Sequence, residues 1–125
     1  MATLPAEKII ASIKRGVSYR EFEELRAKLG VSASHLAAVI GISERTLSRR
    51  KQEGRLQPDE SDRLYRILRL YHRAVEVLGE DSGPLWLTTP KRFLGGKTPL
   101  EFADTEMGAY EIEQTLGRIE HGVFA

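Results

Sequence analysis

Residues 41–56, GISERTLSRRKQEGRL, place five positive charges behind a glycine, an isoleucine and a serine. Arginine can bond guanine with two parallel hydrogen bonds, serine and threonine reach base edges or phosphate, and lysine neutralises phosphate. Ser43, Arg45, Thr46, Ser48, Arg49, Arg50 and Lys51 are therefore the candidate DNA-binding residues. The competing reading is a basic, solvated helix in an ordinary bundle. Spacing favours DNA. A helix-turn-helix needs a small residue within its first helix, a glycine at the turn and apolar inner faces on both helices. Ala37, Gly41 and the set Leu36, Ile40, Ile42 and Leu47 meet those needs. Arg50 is the misfit, because the general pattern has an apolar residue there. Either the helix is rotated, or Arg50 lies along its neighbours with only its head exposed.

Other chemistry is harder to build. Gly95-Gly96-Lys97-Thr98 resembles the end of a phosphate-binding loop, but that motif needs a further glycine at position 91, which is Lys91, and a preceding buried strand. Thr98 is better placed as a helix cap. His35, His72 and His121 stand too far apart to suggest a metal site, and His121 suits a helix C-terminus. No serine, histidine and aspartate form a local catalytic signature, so neither a catalytic residue nor a cofactor is expected. Asp104, Glu106, Glu111 and Glu113 fit a solvated face. Trp86, Leu94, Val123 and Phe124 could be core, but an apolar pair just past a helix cap more often docks against something.

The elements that would carry these residues all show the helical period. Gly16, Gly30, Gly41, Gly54, Gly79 and Gly122 each stand where a helix would stop. Ser18-Tyr19-Arg20-Glu21 and Thr98-Pro99-Leu100-Glu101 are capping boxes, and Ser32 and Ser43 open two further helices. The longest helix follows Pro58, with Leu64, Ile67, Leu68, Tyr71, Ala74, Val75 and Leu78 as its stripe. The last is expected over about Glu106 to His121, burying Tyr110, Ile112, Leu116 and Ile119. The expected fold is all-α. A helix-turn-helix bundle over 1–58 is joined by a connecting helix, 59–79, to a small helical domain, 80–125.

A chain of 125 residues without cysteine can fold on its core alone and offers no thiolate metal site. No apolar run approaches the ~20 residues that span a bilayer, and the N-terminus lacks a signal peptide's features, so a cytoplasmic protein is expected. Net charge is +1, yet residues 1–79 hold 15 Lys/Arg against 10 Asp/Glu, and residues 80–125 hold 4 against 8. Such asymmetry predicts two surfaces with different partners, the basic half meeting a polyanion.

The segment TLSRRKQEGRLQPDESDRL resembles the helix-turn-helix half of the Xre/MbcA/ParS antitoxins, and Arg50 suits that family's Arg-Arg-Lys. LGGKTPLEF and LGRIEHGVFA resemble its toxin-binding domain, so the likeness runs from about Val17 to Ala125. It implies a type II antitoxin paired with a RES-domain toxin that consumes NAD or transfers from it. The antitoxin would press its C-terminal segment over the NAD site and autoregulate its operon. Operator DNA, a homodimer and a hetero-oligomer with the toxin are the partners implied. By position, Trp86 and Leu94 join Gly95, Gly96, Lys97, Thr98 and Pro99 in a platform. Leu116, Gly117, Arg118, Ile119, Glu120, Gly122, Val123 and Phe124 would form the toxin-facing end. Arg118 could hold a toxin carboxylate or take part in an internal ion pair. The alternative function is a stand-alone repressor whose C-terminal half dimerises or senses a ligand.

Overall fold

The computed structural model describes residues 5–122. The helices are α1 (Ala6–Arg15), α2 (Tyr19–Leu29), α3 (Ala33–Val39), α4 (Glu44–Glu53), α5 (Pro58–Leu78), α6 (Ser82–Leu87), α7 (Pro99–Phe102) and α8 (Glu106–Glu120), with a 3-10 turn at Arg92–Leu94. Among the described residues no strand forms, and the one isolated bridge pairs Ser18 with Arg55. Most starts follow from local chemistry. The Ser18–Glu21 and Thr98–Glu101 boxes close in both directions, and Ser32 and Ser43 accept from the backbone N–H groups of His35 and Thr46. A third box, Gln57–Glu60, opens α5 beside Pro58.

One continuous core runs through the molecule. Phe22, Leu25 and Leu29 of α2 meet Leu36, Ile40, Ile42 and Leu47 of the helix pair, and α5 adds Leu64, Ile67, Leu70 and Ala74. Leu87, Leu100, Ala109, Ile112 and Leu116 continue that core into the C-terminal half. Gly83 lets α6 lie directly on α5, since a Cβ there would stand 2.9 Å from the Ala74 carbonyl carbon. Tyr110, expected in the core, is 52% exposed. Gly108, Ala109 and Ile112 supply the buried face of α8 in that region, which turns Tyr110 outward.

Part of the charge asymmetry is spent inside the fold. Arg66, Arg69 and Arg73 of α5 face Glu106, Glu113 and Glu120 of α8. Arg66 Nε lies 3.0 Å from Glu106, Arg69 Nε 2.7 Å from Glu113, and Arg73 Nη2 2.6 Å from Glu120. The acidic residues are seven apart, two helical turns, so all three project from one face. A large part of the opposite charge on the two halves is therefore spent between them.

Candidate functional site

The turn between α3 and α4 is built as the sequence requires. Gly41 takes φ +74°, a left-handed conformation that costs a residue with a Cβ, and its neighbour Ile42 returns its N–H to the Ala37 carbonyl at 2.9 Å. Arg63 of α5 donates Nε–H to the Ile40 carbonyl at 2.6 Å, tying the turn to the long helix. Leu47 and Arg50 are the buried residues of α4. With 100° between successive residues, the opposite face carries Arg45, Ser48, Arg49 and Gln52, while Lys51, four residues after Leu47, borders the buried stripe. All five are exposed. Ser43 is exposed but occupied as the cap, and Thr46 is half-buried beside it, its hydroxyl 3.1 Å from that of Ser43.

Arg50 does not join this face, which corrects its expected place among the DNA-facing residues. It is 9% exposed, and its guanidinium grips Glu60 of α5 with two hydrogen bonds, Nε to Oε1 at 2.7 Å and Nη2 to Oε2 at 3.0 Å. Glu53 takes a third at 3.1 Å. The apolar position of the general pattern is thus filled by a neutralised pair. Burial pushes the Glu60 carboxyl up, but the Arg50 hydrogen bonds, the Gln57 N–H and the Arg50 charge together hold it below its ordinary value. Arg50 ties α4 to α5.

In the C-terminal half the expected residues separate into buried and exposed sets. Pro99 and Leu116 are buried, and Thr98 is engaged as a cap, so these three build the domain instead of presenting a surface. Gly95, Gly96 and Lys97 form an exposed turn in which the Gly96 N–H and the Lys97 carbonyl both bond the backbone of Lys91. Trp86 and Leu94 are half-buried, and the Lys91 ammonium stands 5.1 Å from the centre of the Trp86 ring, its pKa lowered by burial. Gly117 and Ile119 are half-buried at the far end of α8, while Gly122 is exposed just beyond it. Glu120 is bound bidentately by Arg73, and Arg118 donates to the Thr115 hydroxyl at 3.2 Å. Val123 and Phe124 lie outside the described residues.

The platform and the far end of α8 do not form one patch. Lys97 shares a shallow hollow with Phe102, Met107 and Gly108 near the start of α8, whereas Gly122 follows its end. A helix of 15 residues puts about 22 Å between them. Sequence reasoning missed three exposed apolar residues close to the platform, Leu85 at 66%, Phe93 at 62% and Met107 at 68%. Phe93 lies between two helix-like segments without a periodic frame, which leaves no sequence signal for its outward direction.

Comparison with known proteins finds two matching regions that meet within α5. Residues 8–69 match the antitoxin Xre-like helix-turn-helix domain, and residues 73–122 match the antitoxin Xre/MbcA/ParS C-terminal toxin-binding domain. An Antitoxin Xre of Yersinia enterocolitica is 35% identical over 128 residues, covering 98% of this chain and 86% of that protein. Another from Photorhabdus laumondii is 39% identical over 88 residues, 68% of this chain and 60% of the relative. A protein of Sphingobium sp. named Prs ADP-ribosylating antitoxin is 27% identical over 127 residues, 93% of this chain and 80% of its own length. The chain belongs to the antitoxin Xre family: a type II, non-enzymatic antitoxin in which a helix-turn-helix domain precedes a toxin-binding domain.

Proposed function

We infer that this antitoxin neutralises a RES-domain toxin that uses NAD, covering the toxin's active site with its own C-terminal segment. As a cytoplasmic homodimer it represses its own operon through α4. The observation that carries the reading is one chain with two outlets, an exposed basic face on α4 and a toxin-binding domain ending at Gly122. The Sphingobium relative's name concerns ADP-ribosylation, chemistry that draws on NAD, and supports that class of partner toxin. Trp86, Leu94 and the Gly95–Lys97 turn would contact the toxin at one end of α8, with Leu85 and Phe93 as added apolar anchors. Arg118, Ile119, Gly122, Val123 and Phe124 would act at the other. Apolar side chains such as Val123 and Phe124 are suited to fill a partner's pocket, because their burial offsets the cost of ordering them.

The test is co-expression with the product of the adjacent gene. The neighbour should be toxic alone, harmless with this chain, and co-purify with it. A neighbour that is harmless alone and does not bind would leave a free-standing repressor as the better reading.

A further inference from the structure

Tight packing brings a second set of cations to the C-terminal end of α4. The link between α1 and α2 is laced to the link between α4 and α5. The Leu56 N–H donates to the Val17 carbonyl at 2.9 Å, and the Tyr19 N–H donates to the Gly54 carbonyl at 2.9 Å. The Val17 N–H reaches the buried Ser61 hydroxyl at 2.9 Å. Arg55 Nη1 donates to the Gly16 carbonyl at 2.5 Å. Gly16 sits at φ +87° so close to Leu56 that a Cβ would stand 2.2 Å from its carbonyl oxygen. This seam is rigid, and it fixes the last turn of α1, with Lys14 and Arg15, beside Arg55 and the last turn of α4, with Lys51.

These four cations meet little compensation. Among the described residues none of them stands within ion-pair distance of a carboxylate, and all four are exposed. Of the acids near them in sequence, Glu53 pairs with Arg50, Asp59 with Arg63 and Glu60 with Arg50, while Glu21 closes its capping box. Arg55 is oriented by its backbone bonds. A ten-residue helix is about 15 Å long, against a major groove about 12 Å wide. A reading helix lodged in the groove by its N-terminal half therefore emerges over the sugar-phosphate wall at its C-terminal end.

We propose that Lys14 and Arg15 of α1, with Lys51 and Arg55, form a phosphate-backbone clamp that flanks the reading helix and extends the DNA contact beyond the helix-turn-helix. The clamp rests on the DNA-binding reading under Proposed function. It carries no base information, so it strengthens binding to any duplex alike.

The test measures salt-dependent binding of the full chain to its own promoter duplex and to an unrelated duplex of equal length. In the variant Lys14→Gln/Arg15→Gln, which keeps helix-forming side chains, both affinities should fall. The loss at 0.1 M salt should be about eightfold per phosphate, and the slope of log K against log salt should shrink by about 0.9 per phosphate. Lys14→Arg/Arg15→Lys, which keeps the charge, should retain the wild-type slope, whereas a purely structural role would give no such rescue. The clamp is overturned if wild type binds DNA and the glutamine variant matches its slope and affinity. If wild type itself shows no salt-dependent DNA binding, the DNA reading fails, and the clamp with it.

Discussion

At the scale of residues, the Arg50–Glu60 pair decides how α4 is held. Removing one partner from a buried pair leaves a charge with neither water nor counter-ion, a loss of about 3–5 kcal/mol. Arg50→Ala should show that loss in urea denaturation, and Arg50→Met/Glu60→Leu should recover most of it. The double variant should also keep the wild-type salt slope for DNA, because Arg50 acts on α4 and touches no phosphate. A shrunken slope would return Arg50 to the DNA-facing set. The pair also sets an acid limit. A carboxylate held below its ordinary value stabilises the fold fully above about pH 4.3 and loses that contribution as pH falls through its lowered value. Glu60, Glu101 and Glu120 all shift downward. Stability should fall as the solution is acidified below about pH 4, and Glu60→Gln should flatten that fall. Circular dichroism across pH 3–7 reads both.

At the scale of elements, the proposed function gives α4 and α8 different work, and they should fail separately. Arg45→Ala/Arg49→Ala removes two exposed cations from the face opposite Leu47 and Arg50. Promoter affinity should drop and the salt slope should shrink, by about 0.9 for each phosphate left without its cation, while neutralisation in co-expressing cells is unchanged. Loss of both functions together would refute two separate surfaces. For α8, ending the chain before Gly122 should abolish neutralisation and leave promoter binding and helix content intact. A truncated chain that still protects cells would overturn the tail's role. The capped starts of α2, α3, α4, α7 and α8 keep these elements in register whatever happens at the surface.

At the scale of the molecule, the question is what joins the two halves. The ladder between α5 and α8 is conspicuous, but partly exposed pairs contribute about 0–1 kcal/mol each. Ile112, wholly buried on α8, should matter more, since truncating such a side chain costs about 2–5 kcal/mol. Arg69→Gln should therefore lower stability by no more than about 1 kcal/mol, and Ile112→Ala by several times that, by urea denaturation. The ladder's larger effect is on register: a helix slid by one residue would turn Glu106, Glu113 and Glu120 away from their arginines.

The amino-acid order alone determined the helices, the caps at Ser18, Ser32, Ser43 and Thr98 and the turn at Gly41, because periodicity, Ser/Thr caps and glycine stops act within a few residues of one another. It also marked Arg45, Arg49 and Lys51 as cations, and Ser48 as a polar residue, of one helix. Tertiary structure decided the rest, since each remaining question concerned residues far apart in the chain. Arg50 turned inward because Glu60, from another helix, was there to neutralise it. Tyr110 turned outward because Gly108, Ala109 and Ile112 supply the buried face of α8, where Gly108 lies against the Phe102 carbonyl. The opposite charges of the two halves, legible as a sum, met in pairs between α5 and α8. Lys14 and Arg15, unremarkable in a first short helix, came to the end of α4 only because Gly16 lets two backbones touch.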